Sequence, residues 1–575
     1  MSPRPRGLAT RGTVADLIWQ RADQAPDAVA VIDGTGATVT YRELTRRADT
    51  VAGELAAAGV AVDEVVGLCW PRSVDGLVQL LGVWRAGGAV LYLDPDWPVK
   101  RLQHMTATCA VRHVLTAVPG LDLPASVDAA DLKHVPIGGP LCYVVFTSGS
   151  TGTPKGVLIE HPGVVAMATA LADQFDVTPG TRVLQFAAWS WDAAMCEILM
   201  TLTAGATLVL APAGARAGAD LARVLRAQQV EVVTLTPSVL AAIPADDLPD
   251  LRTVVAVGEP VHPRLVERWA APQRRMFNGY GPTEATVAVT VGELHPGHDV
   301  HIGTPLPGVI VRVVDEHGRP RPVGAAGEVL VGGLGVARGY AGSPAATAAR
   351  FSTDEAGRRW YQTGDLAAWR PDDTLAFLGR TDDQIKLRGH RLALGEVEHI
   401  LTAHPATHAA AVVAVANRLT AFVVADPDHT AGQSEAELAG VLRGHAAALL
   451  PPFAMPDIRV VPELPLTVGG KTDRGMLRGL AAADTEPGDG SLPAGGSLPI
   501  VLEVVAAVLD RPVQPATDVI DAGGHSLLVA QLCVALSEAL GVEVPYITVA
   551  VGRTPAGIAA AIDDPSPARA AGSAA

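Results

Sequence analysis

The feature that most constrains the fold is a regular alternation of helix-like and strand-like segments along the first two thirds of the chain. Amphipathic stretches such as YRELTRRADTVAGELAAAG (41–59) alternate with short β-rich runs such as VLYLD (90–94), YVVF (143–146) and TVVAVG (253–258). Strands separated by helices predict an α/β fold with largely parallel sheets. We therefore expect a large N-terminal core of packed sheets and helices over residues 1–380.

Four shorter segments follow this core. Residues 381–480 alternate strand, helix, a pair of strands and helix, which predicts a small α+β unit. Residues 481–497 are rich in Gly, Pro, Ser and acidic side chains without periodicity, which is typical of a flexible linker. Residues 498–564 carry short amphipathic helices and little strand signal, so we expect a small all-α unit of four helices. The tail, 565–575, has the composition of a disordered segment.

Charge and cysteine content exclude several classes of function. The net charge of -16 argues against binding nucleic acid or an anionic membrane surface as the main task. The five cysteines are scattered without a CxxC pair, so neither a disulfide framework nor a cysteine zinc site is expected. No charge-free apolar stretch is long enough to span a membrane, and the first residues lack the apolar core of a secretory signal. We expect a cytoplasmic protein.

A loop rich in hydroxyl groups follows one of the buried runs. The stretch FTSGSTGTPKGV (146–157) places small residues and a single lysine directly after a strand. Backbone N–H groups and hydroxyls in such a loop can cradle an oxyanion, and the lysine adds positive charge. The cradle would consist of Thr147, Ser148, Gly149, Ser150, Thr151 and Lys155. The stretch is not a Walker A loop, because Pro154 stands where a glycine must precede the lysine. On this evidence alone, a plain Ser/Thr-rich turn stays open.

Further motifs recur in a fixed order along the chain. They are WRAGGAVLYLDPDWP (84–98), FNGYGPTEAT (277–286), IGTPLPG (302–308), GEVLVGGLGVARGY (327–340), YQTGDLAAWRPDDTLAFLGRTDDQIKLRGHRLALGEVE (361–398) and LPLTVGGKTDRG (464–475). Together with the hydroxyl-rich loop, they closely resemble the core motifs of nonribosomal peptide synthetase adenylation domains, which belong to the acyl-adenylate-forming superfamily. The resemblance covers residues 14–480. Behind it, DVIDAGGHSLLVAQL (518–532) resembles the modification site of a peptidyl carrier protein.

The resemblance implies a reaction in which an amino acid carboxylate attacks the α-phosphate of ATP. Such a reaction needs positive charge around the transferring group, typically from Mg2+ and a lysine. By resemblance, the catalytic residues are Thr283 and Glu284, of which Glu284 helps to hold Mg2+, and Lys471, which reaches the α-phosphate and the substrate carboxylate. Without their motifs, Glu284 and Lys471 would be interpreted as a surface carboxylate and a solvated loop lysine.

The same resemblance assigns groups to the nucleoside. Asp365 would accept hydrogen bonds from both ribose hydroxyls, with Arg380 beside it, and Tyr280 would stack on adenine. The other residues expected near the nucleotide are Gly258, Asn278 and Phe377. Tyr280 and Phe377 could equally be ordinary core aromatics. Asp382 matches the hinge about which the small unit rotates between adenylation and thioester formation, and Lys386 and Gly389 match the face used in the second step.

For the acid that is activated, the resemblance implies an L-α-amino acid. Asp192 would pair with its α-ammonium group, because a buried carboxylate without that partner is costly. The remaining lining would be Ala193, Cys196, Thr234, Val255, Val257, Gly279, Val287, Ala288 and Lys471. Apart from Lys471, which would reach the substrate carboxylate, Thr234 is the polar member of an otherwise apolar set, so charged substrate side chains are disfavoured. The set resembles pockets for phenylalanine or tyrosine, although the bulk of Val257 keeps leucine, valine and tryptophan open.

In the carrier-like segment, Ser526 follows two glycines at the start of a helix. Such a serine is often only a helix N-cap, but by resemblance it is the attachment site of 4′-phosphopantetheine, installed by a phosphopantetheinyl transferase. The chain departs from the family pattern at residues 520–522, at Ala393 and at Gly469. We expect a free-standing didomain that delivers a loaded amino acid to a condensation or tailoring enzyme, with an MbtH-like helper as a further candidate partner. An acyl-CoA or aryl-CoA ligase and a catalytically silent carrier scaffold remain as alternatives.

Overall fold

The computed structural model describes most of the chain and gives each unit predicted from the sequence a set of elements. The described residues are 12–119, 121, 139–148, 153–212, 214–215, 217–245, 248–381, 384–387, 390–415, 418–427, 429–430, 433–465, 472–483, 497–509, 511–519, 532–533, 535–536, 539–540, 544, 548–549 and 553–563.

The core begins with helices and strands in alternation. A capping box of Thr13 and Asp16 starts the first helix. The elements are α1 (Val14–Gln24), β1 (Val29–Ile32), β2 (Thr38–Thr40), α2 (Tyr41–Ala57), β3 (Val65–Cys69), α3 (Val74–Arg85), β4 (Ala89–Tyr92), α4 (Val99–Thr108) and β5 (His113–Thr116).

The central part of the core carries the most apolar helix, whose residues 193–203 are all buried. A helix that is apolar on all sides belongs inside a protein. The elements here are β6 (Leu141–Thr147), β7 (Lys155–Glu160), α5 (His161–Gln174), β8 (Arg182–Gln185), α6 (Ala193–Ala204), β9 (Thr207–Leu210), α7 (Gly218–Ala227), β10 (Val232–Leu235), α8 (Pro237–Ala242), β11 (Thr253–Val257), α9 (Pro263–Trp269) and β12 (Arg275–Tyr280).

The last part of the core is mainly antiparallel. Its elements are a short 3₁₀-helix (Thr283–Ala285), β13 (Thr290–Leu294), β14 (Thr304–Pro305), β15 (Val309–Val314), β16 (Gly327–Gly333), β17 (Gly339–Tyr340), α10 (Pro344–Arg350), β18 (Phe351–Thr353), β19 (Arg359–Trp369) and β20 (Leu375–Arg380).

Two smaller units follow. The first contains β21 (Gln384–Leu387), β22 (His390–Ala393), α11 (Leu394–Thr402), β23 (Thr407–Val415), β24 (Arg418–Ala425), α12 (Glu435–Ala447), a short 3₁₀-helix (Pro452–Ala454), β25 (Asp457–Val460) and α13 (Arg474–Ala483). In the second, the described helices with defined bounds are α14 (Leu498–Leu509) and α15 (Pro555–Asp563). The predicted count of four helices in that unit includes residues outside the described ranges.

Three sheets build the core from the described strands. One has the order β14-β13-β12-β11-β10-β8-β9-β1-β2, a second β17-β7-β6-β4-β3-β5, and a third β15-β16-β19-β18 with β20 on β19. Strands β8 to β12 pair in parallel, as do β3, β4, β5 and β6. One apolar cluster joins the facing sides of the first two sheets through α1, α2, α3, α5 and α6, so these helices form a buried layer. The α/β prediction is confirmed.

The small unit behind the core has its own sheets, β21-β22 and β23-β24-β25. Its apolar cluster is separate and is closed by α11 and α12. Among the described helices, none has both the length and the apolar character needed to cross a bilayer.

Candidate functional site

A cavity opens where the carboxyl ends of β10, β11 and β12 meet the start of α6. Ligands of parallel sheets commonly bind at this edge. Residues predicted from the sequence that line the cavity are Thr147, Ser148, Asp192, Ala193, Cys196, Thr234, Val255, Val257, Gly258, Gly279, Thr283, Val287, Ala288, Asp365 and Arg380. The structure thus brings the residues expected for the substrate and those expected for the nucleotide to one cavity.

The acidic end of this cavity is formed by Asp192. The residue precedes the first turn of α6 and is only 5% exposed. Tyr143 and Cys196 lie close enough that the Asp192 charge, after burial, helps to raise the pKa of both groups. A positively charged ligand group is therefore favoured beside Asp192.

The opposite walls are apolar apart from one hydroxyl. Thr234 lies on β10 and is 4% exposed, between the aliphatic side chains of β11 and the helical layer. Its Oγ1 has no hydrogen-bond partner among the described residues. A buried hydroxyl without a partner is costly, so a ligand atom that bonds to it would be selected.

A tight loop after β12 shapes the floor of the cavity. Thr286 and Val287 both have positive φ angles, 59° and 65°, which non-glycine residues rarely adopt. Gly281 packs so closely against this turn that a Cβ there would lie 2.2 Å from the carbonyl oxygen of Val287. The glycine and the strained turn together hold Val287 and Ala288 against the cavity.

Glu284, the predicted metal ligand, is a buried carboxylate facing a cation. It accepts hydrogen bonds from the Tyr340 hydroxyl (2.9 Å) and from Nη1 of Arg391 (2.9 Å). Burial opposes its ionisation, but the Arg391 charge and the hydrogen bonds outweigh burial, so the pKa of Glu284 lies below its ordinary value. Nζ of Lys155 lies 5.3 Å from the centre of the Tyr340 ring, and burial lowers the pKa of this lysine.

Asp365, the predicted ribose ligand, belongs to a second polar cluster. Its Oδ2 accepts a 2.6 Å hydrogen bond from the Tyr280 hydroxyl, and Arg380 pairs with its other oxygen. Burial and the nearby carboxylate raise the pKa of Tyr280 well above its ordinary value. The Phe377 ring is 6.0 Å from that of Tyr280 and 40% exposed. The Asn278 amide donates to the carbonyl of His301 at 3.0 Å.

The hairpin β21–β22 of the small unit lies over both polar clusters. Gln384 Oε1 accepts hydrogen bonds from Arg380 (3.0 Å) and Arg391 (2.7 Å), which links the Asp365 cluster to the Glu284 cluster. The Ser148 hydroxyl donates to the carbonyl of Arg391 at 2.9 Å and accepts from the amide of Ala393 at 2.8 Å. The small unit therefore binds directly to predicted nucleotide residues.

Two further contacts hold the small unit at the mouth of the cavity. Arg101 donates to Glu396 at 2.9 Å, and both side chains are buried. The His390 ring stacks on Phe453 with centroids 4.0 Å apart and lies 5.7 Å from that of Trp191.

Sequence reasoning missed these contact residues. Arg391 and Glu396 stand inside the quoted motif at 361–398, and the signal that could have identified Arg391 is a second basic residue spaced three positions after Arg388. Nothing in the local pattern indicates that Arg101, Trp191 or Phe453 would reach this cavity. The predicted Gly149, Ser150, Thr151, Asp382, Lys471 and Ser526 lie outside the described residues, as do Gly389 and the side chain of Lys386.

Family comparisons agree with the order of units along the chain. The AMP-binding enzyme family matches residues 18–138 and 131–341, and the AMP-binding enzyme C-terminal domain matches residues 396–471. The phosphopantetheine attachment site family matches residues 499–562. These matches confirm the predicted use of ATP with Mg2+ and of 4′-phosphopantetheine.

Curated relatives and a solved structure extend this likeness. One subunit of the linear gramicidin synthase of Brevibacillus parabrevis is 40% identical over 92% of this chain, which spans only 7% of that relative. Novobiocin biosynthesis protein H of Streptomyces niveus is 38% identical, with 92% of each chain covered. The structure of holo-PA1221, an NRPS protein containing adenylation and PCP domains bound to a vinylsulfonamide inhibitor, superposes with a TM-score of 0.80 at 26% identity, covering 96% of both chains.

Proposed function

Because this chain belongs to the AMP-binding enzyme family and carries a phosphopantetheine attachment domain, we propose that it activates an L-α-amino acid as aminoacyl-AMP and transfers it to the phosphopantetheine thiol on Ser526. The observation that carries this proposal is the single cavity that Asp192 shares with Thr147, Ser148, Asp365 and Arg380. An ammonium-binding carboxylate and nucleotide-binding groups on one cavity suit an amino acid carboxylate aligned with a phosphate.

Asp192 selects for the α-amino group in this proposal. Its carboxylate is nearly buried, and attraction between opposite charges is stronger in such a site than in water. Placing the ammonium there fixes one end of the substrate, and the carboxylate end then lies toward the hydroxyl-rich strand end at Thr147 and Ser148. A carboxylic acid that lacks the amine would lose this contact.

The nucleotide would be oriented by the Asp365 cluster. The carboxylate accepts hydrogen bonds from ribose hydroxyls, while Tyr280 and Arg380 hold its two oxygens in place. Glu284 and Thr283 offer oxygen ligands of the kind that Mg2+ prefers, and Glu284 already faces a positive group in Arg391, so these residues fit a bound cation. When bound, Mg2+ would neutralise charge on the phosphates. Lys471 is proposed to reach the α-phosphate and the carboxylate.

The orientation of the small unit fits the second half of the reaction. With β21–β22 over the cavity, Arg391 pairs with Glu284 and the backbone of Arg391 and Ala393 binds Ser148. Groups expected to hold phosphate and metal are thus engaged by the protein itself. We infer that this arrangement belongs to thioester formation, after pyrophosphate has left, and that Asp382 is the hinge.

Thr234 supports a substrate side chain with a polar end. The walls opposite Asp192 are otherwise apolar, and the threonine hydroxyl lacks a partner among the residues described. A phenol fits this combination better than a plain phenyl group, because its hydroxyl can bond to Thr234 while the ring remains in apolar surroundings. Tyrosine is therefore the proposed side chain, with phenylalanine as the nearest competitor.

The test uses the full chain in its phosphopantetheinylated form, which a phosphopantetheinyl transferase produces. After incubation with Mg-ATP and a pool of amino acids, the intact mass should increase by one aminoacyl group on the Ser526 arm. In a parallel incubation with free coenzyme A added, soluble acyl-CoA in place of that adduct would support a CoA ligase. An arm that stays empty, with no adenylate in a single turnover and with an MbtH-like helper present, would support a silent scaffold.

The substrate side chain is tested by Thr234→Val, which keeps the shape and removes the hydroxyl. We expect the preference for tyrosine over phenylalanine in kcat/KM to fall by about tenfold, mainly through a loss for tyrosine. The conservative Thr234→Ser is the control and should keep the preference. A preference that does not change in Thr234→Val would contradict a phenol bound at this position.

The enzyme that receives the loaded amino acid is proposed to be a condensation or tailoring enzyme.

A further inference from the structure

The turn that carries Asp192 is held by a buried carboxyl group that has no part in the proposed chemistry. Residues 186–191 form the turn after β8, and Asp192 follows this turn directly before α6. Glu197 projects from the second turn of α6 back toward this connection and is completely buried. Its Oε2 accepts hydrogen bonds from the backbone amides of Phe186 (3.0 Å) and Ala187 (3.1 Å).

A second side chain extends the same support. Gln185 Nε2 donates to Glu197 Oε2 at 2.9 Å and to the carbonyl of Ala187 at 2.7 Å. Gln185 Oε1 accepts from the indole of Trp189 at 3.1 Å, in the middle of the turn. Glu197 and Gln185 together therefore satisfy polar groups at the start and the middle of residues 186–191.

The turn is also fixed from the side of the neighbouring sheet, at Ser190 near its end and at Phe186 at its start. Asp94, just after β4, accepts a 2.9 Å hydrogen bond from the Ser190 hydroxyl, and Arg72 donates to the carbonyl of Phe186 at 2.5 Å. Within the described residues, these contacts leave the turn attached at its beginning, middle and end. Glu197 is the member that joins the turn to the helix following Asp192.

We propose that Glu197 is a positioning residue for amino-acid recognition, which fixes residues 186–191 and thereby holds Asp192 where it meets the substrate ammonium group. The inference rests on the proposed function, since it assigns a role to a residue behind Asp192. A displacement of about 1 Å at such a contact is enough to weaken recognition strongly.

The hydrogen-bond acceptors of Glu197, rather than its charge, perform this role. Burial raises the pKa of Glu197 to about 8, although the amides of Phe186 and Ala187 and the Gln185 amide oppose that shift. A neutral carboxyl group still offers one carbonyl oxygen to the three N–H donors. Glutamine offers the same oxygen, whereas leucine offers none and leaves the donors unpaired.

The test compares Glu197→Leu with Glu197→Gln in the full chain. For Glu197→Leu, we expect the KM of the amino acid in adenylate formation to rise at least about tenfold, while the KM of ATP changes by less than about twofold. The preference for tyrosine over 3-(4-hydroxyphenyl)propanoate, which lacks the amine, should fall. Hydrogen exchange over residues 186–192 should become faster, and Glu197→Gln should restore most of each property.

Thr201→Val is the matched control on the same helix. Thr201 is completely buried, and its hydroxyl bonds within the helix, to the carbonyl of Glu197 at 2.6 Å. The Thr201→Val variant should leave the KM of the amino acid unchanged. If Glu197→Leu does not fold, Gln185→Met removes the neighbouring support and should give a smaller change in the same direction.

Three results for the variants would overturn the proposal, in addition to the hydrogen-exchange result given below. They are equal changes in the two KM values, faster exchange of residues 186–192 with no loss of preference for the amine, and the same selective effect in Thr201→Val. A wild-type protein that forms no adenylate with any amino acid would contradict the proposed function, whereas hydrogen exchange that is equal in all variants would contradict the support by Glu197.

Discussion

Three buried ionisable side chains show how differently the protein can compensate for burial. Glu284 has a guanidinium opposite it, Glu197 accepts hydrogen bonds from N–H donors, and His161 accepts one from a backbone amide. Burial lowers the pKa of His161 to about 4, although nearby carboxylates oppose this shift. Its Nδ1 accepts the amide of Val14 at 3.3 Å, which requires the unprotonated nitrogen. His161 therefore has to stay neutral in the folded state.

This requirement predicts a loss of stability in acid. An unfolded histidine binds a proton below its ordinary pKa of about 6.5. The contribution of His161 is thus complete above that pH and is lost as the pH falls toward 4, by up to about 3 kcal/mol. His161→Asn keeps an acceptor for Val14 but cannot titrate. In urea unfolding across this range, the wild-type free energy of unfolding should fall more steeply with acidification than that of the variant, and parallel curves would contradict the prediction.

At the scale of elements, the hairpin β21–β22 carries the contacts that join the two polar clusters. Arg391 pairs with Glu284 and with Gln384, and Ser148 binds the backbone on either side of Leu392. The Arg391 guanidinium and a Mg2+ ion bound with the nucleotide would compete for the same Glu284 carboxylate. Docking of the hairpin and binding of Mg-ATP should therefore oppose each other.

Arg391→Gln tests this opposition. Without the guanidinium, Glu284 is left for the metal. Calorimetry of ATP binding should therefore reach its midpoint at a several-fold lower Mg2+ concentration than in the wild type. A change of this size corresponds to the loss of about one charge-assisted hydrogen bond. Transfer to the Ser526 arm should become slower, because the docked hairpin is less stable. Arg391→Lys keeps the positive charge, so its Mg2+ midpoint and transfer rate should lie between those of the wild type and Arg391→Gln. An unchanged Mg2+ midpoint in Arg391→Gln would show that the ion pair does not compete with the metal.

The elements themselves could be predicted from the sequence, but the docking of the hairpin could not. Periodicity indicated strands such as β4 and β11, and the resemblance indicated Thr234 and Glu284 as site residues. Arg391 and Glu284 are 107 residues apart, and Arg101 and Glu396 are 295 apart. Contacts of this kind depend on how the small unit is oriented, and no local pattern of hydrophobic or charged residues encodes that orientation. The support of Asp192 by Glu197 is local, yet its meaning depends on complete burial, which the sequence did not indicate.

At the scale of the whole molecule, the core and the small unit meet through an ion pair that is only partly satisfied. Arg101 and Glu396 are 7% and 1% exposed, and one 2.9 Å hydrogen bond joins them. Arg101 Nε and Glu396 Oε2 have no hydrogen-bond partner among the described residues. Burial raises the pKa of Glu396, although Arg101 opposes this shift. Such a pair contributes little net stability, because the cost of desolvation offsets the attraction. A weak bridge suits the proposed rotation, in which the small unit leaves this position in every cycle.

The single and double substitutions of this bridge should therefore behave in opposite ways. Arg101→Met or Glu396→Met leaves one charge buried without its partner, which costs about 3 to 5 kcal/mol if the units stay docked. If the small unit rotates about the proposed hinge at Asp382, the molecule relieves this cost by undocking rather than by unfolding. The midpoint of thermal unfolding of the core should stay close to wild type. Fluorescence energy transfer between a label on the core and one on the small unit should decrease, and loading of the Ser526 arm should become slower.

In the double variant both charges are gone, and two apolar side chains meet in the same buried space. Docking should then recover to the wild-type level or above it, and with it the energy-transfer signal and the loading rate. Adenylate formation uses the other proposed orientation and should not be slowed in any of the three proteins. If the double variant were as poorly docked as either single one, the pair would be a net source of attraction between the units, and the view of this contact as a weak, readily broken bridge would be wrong.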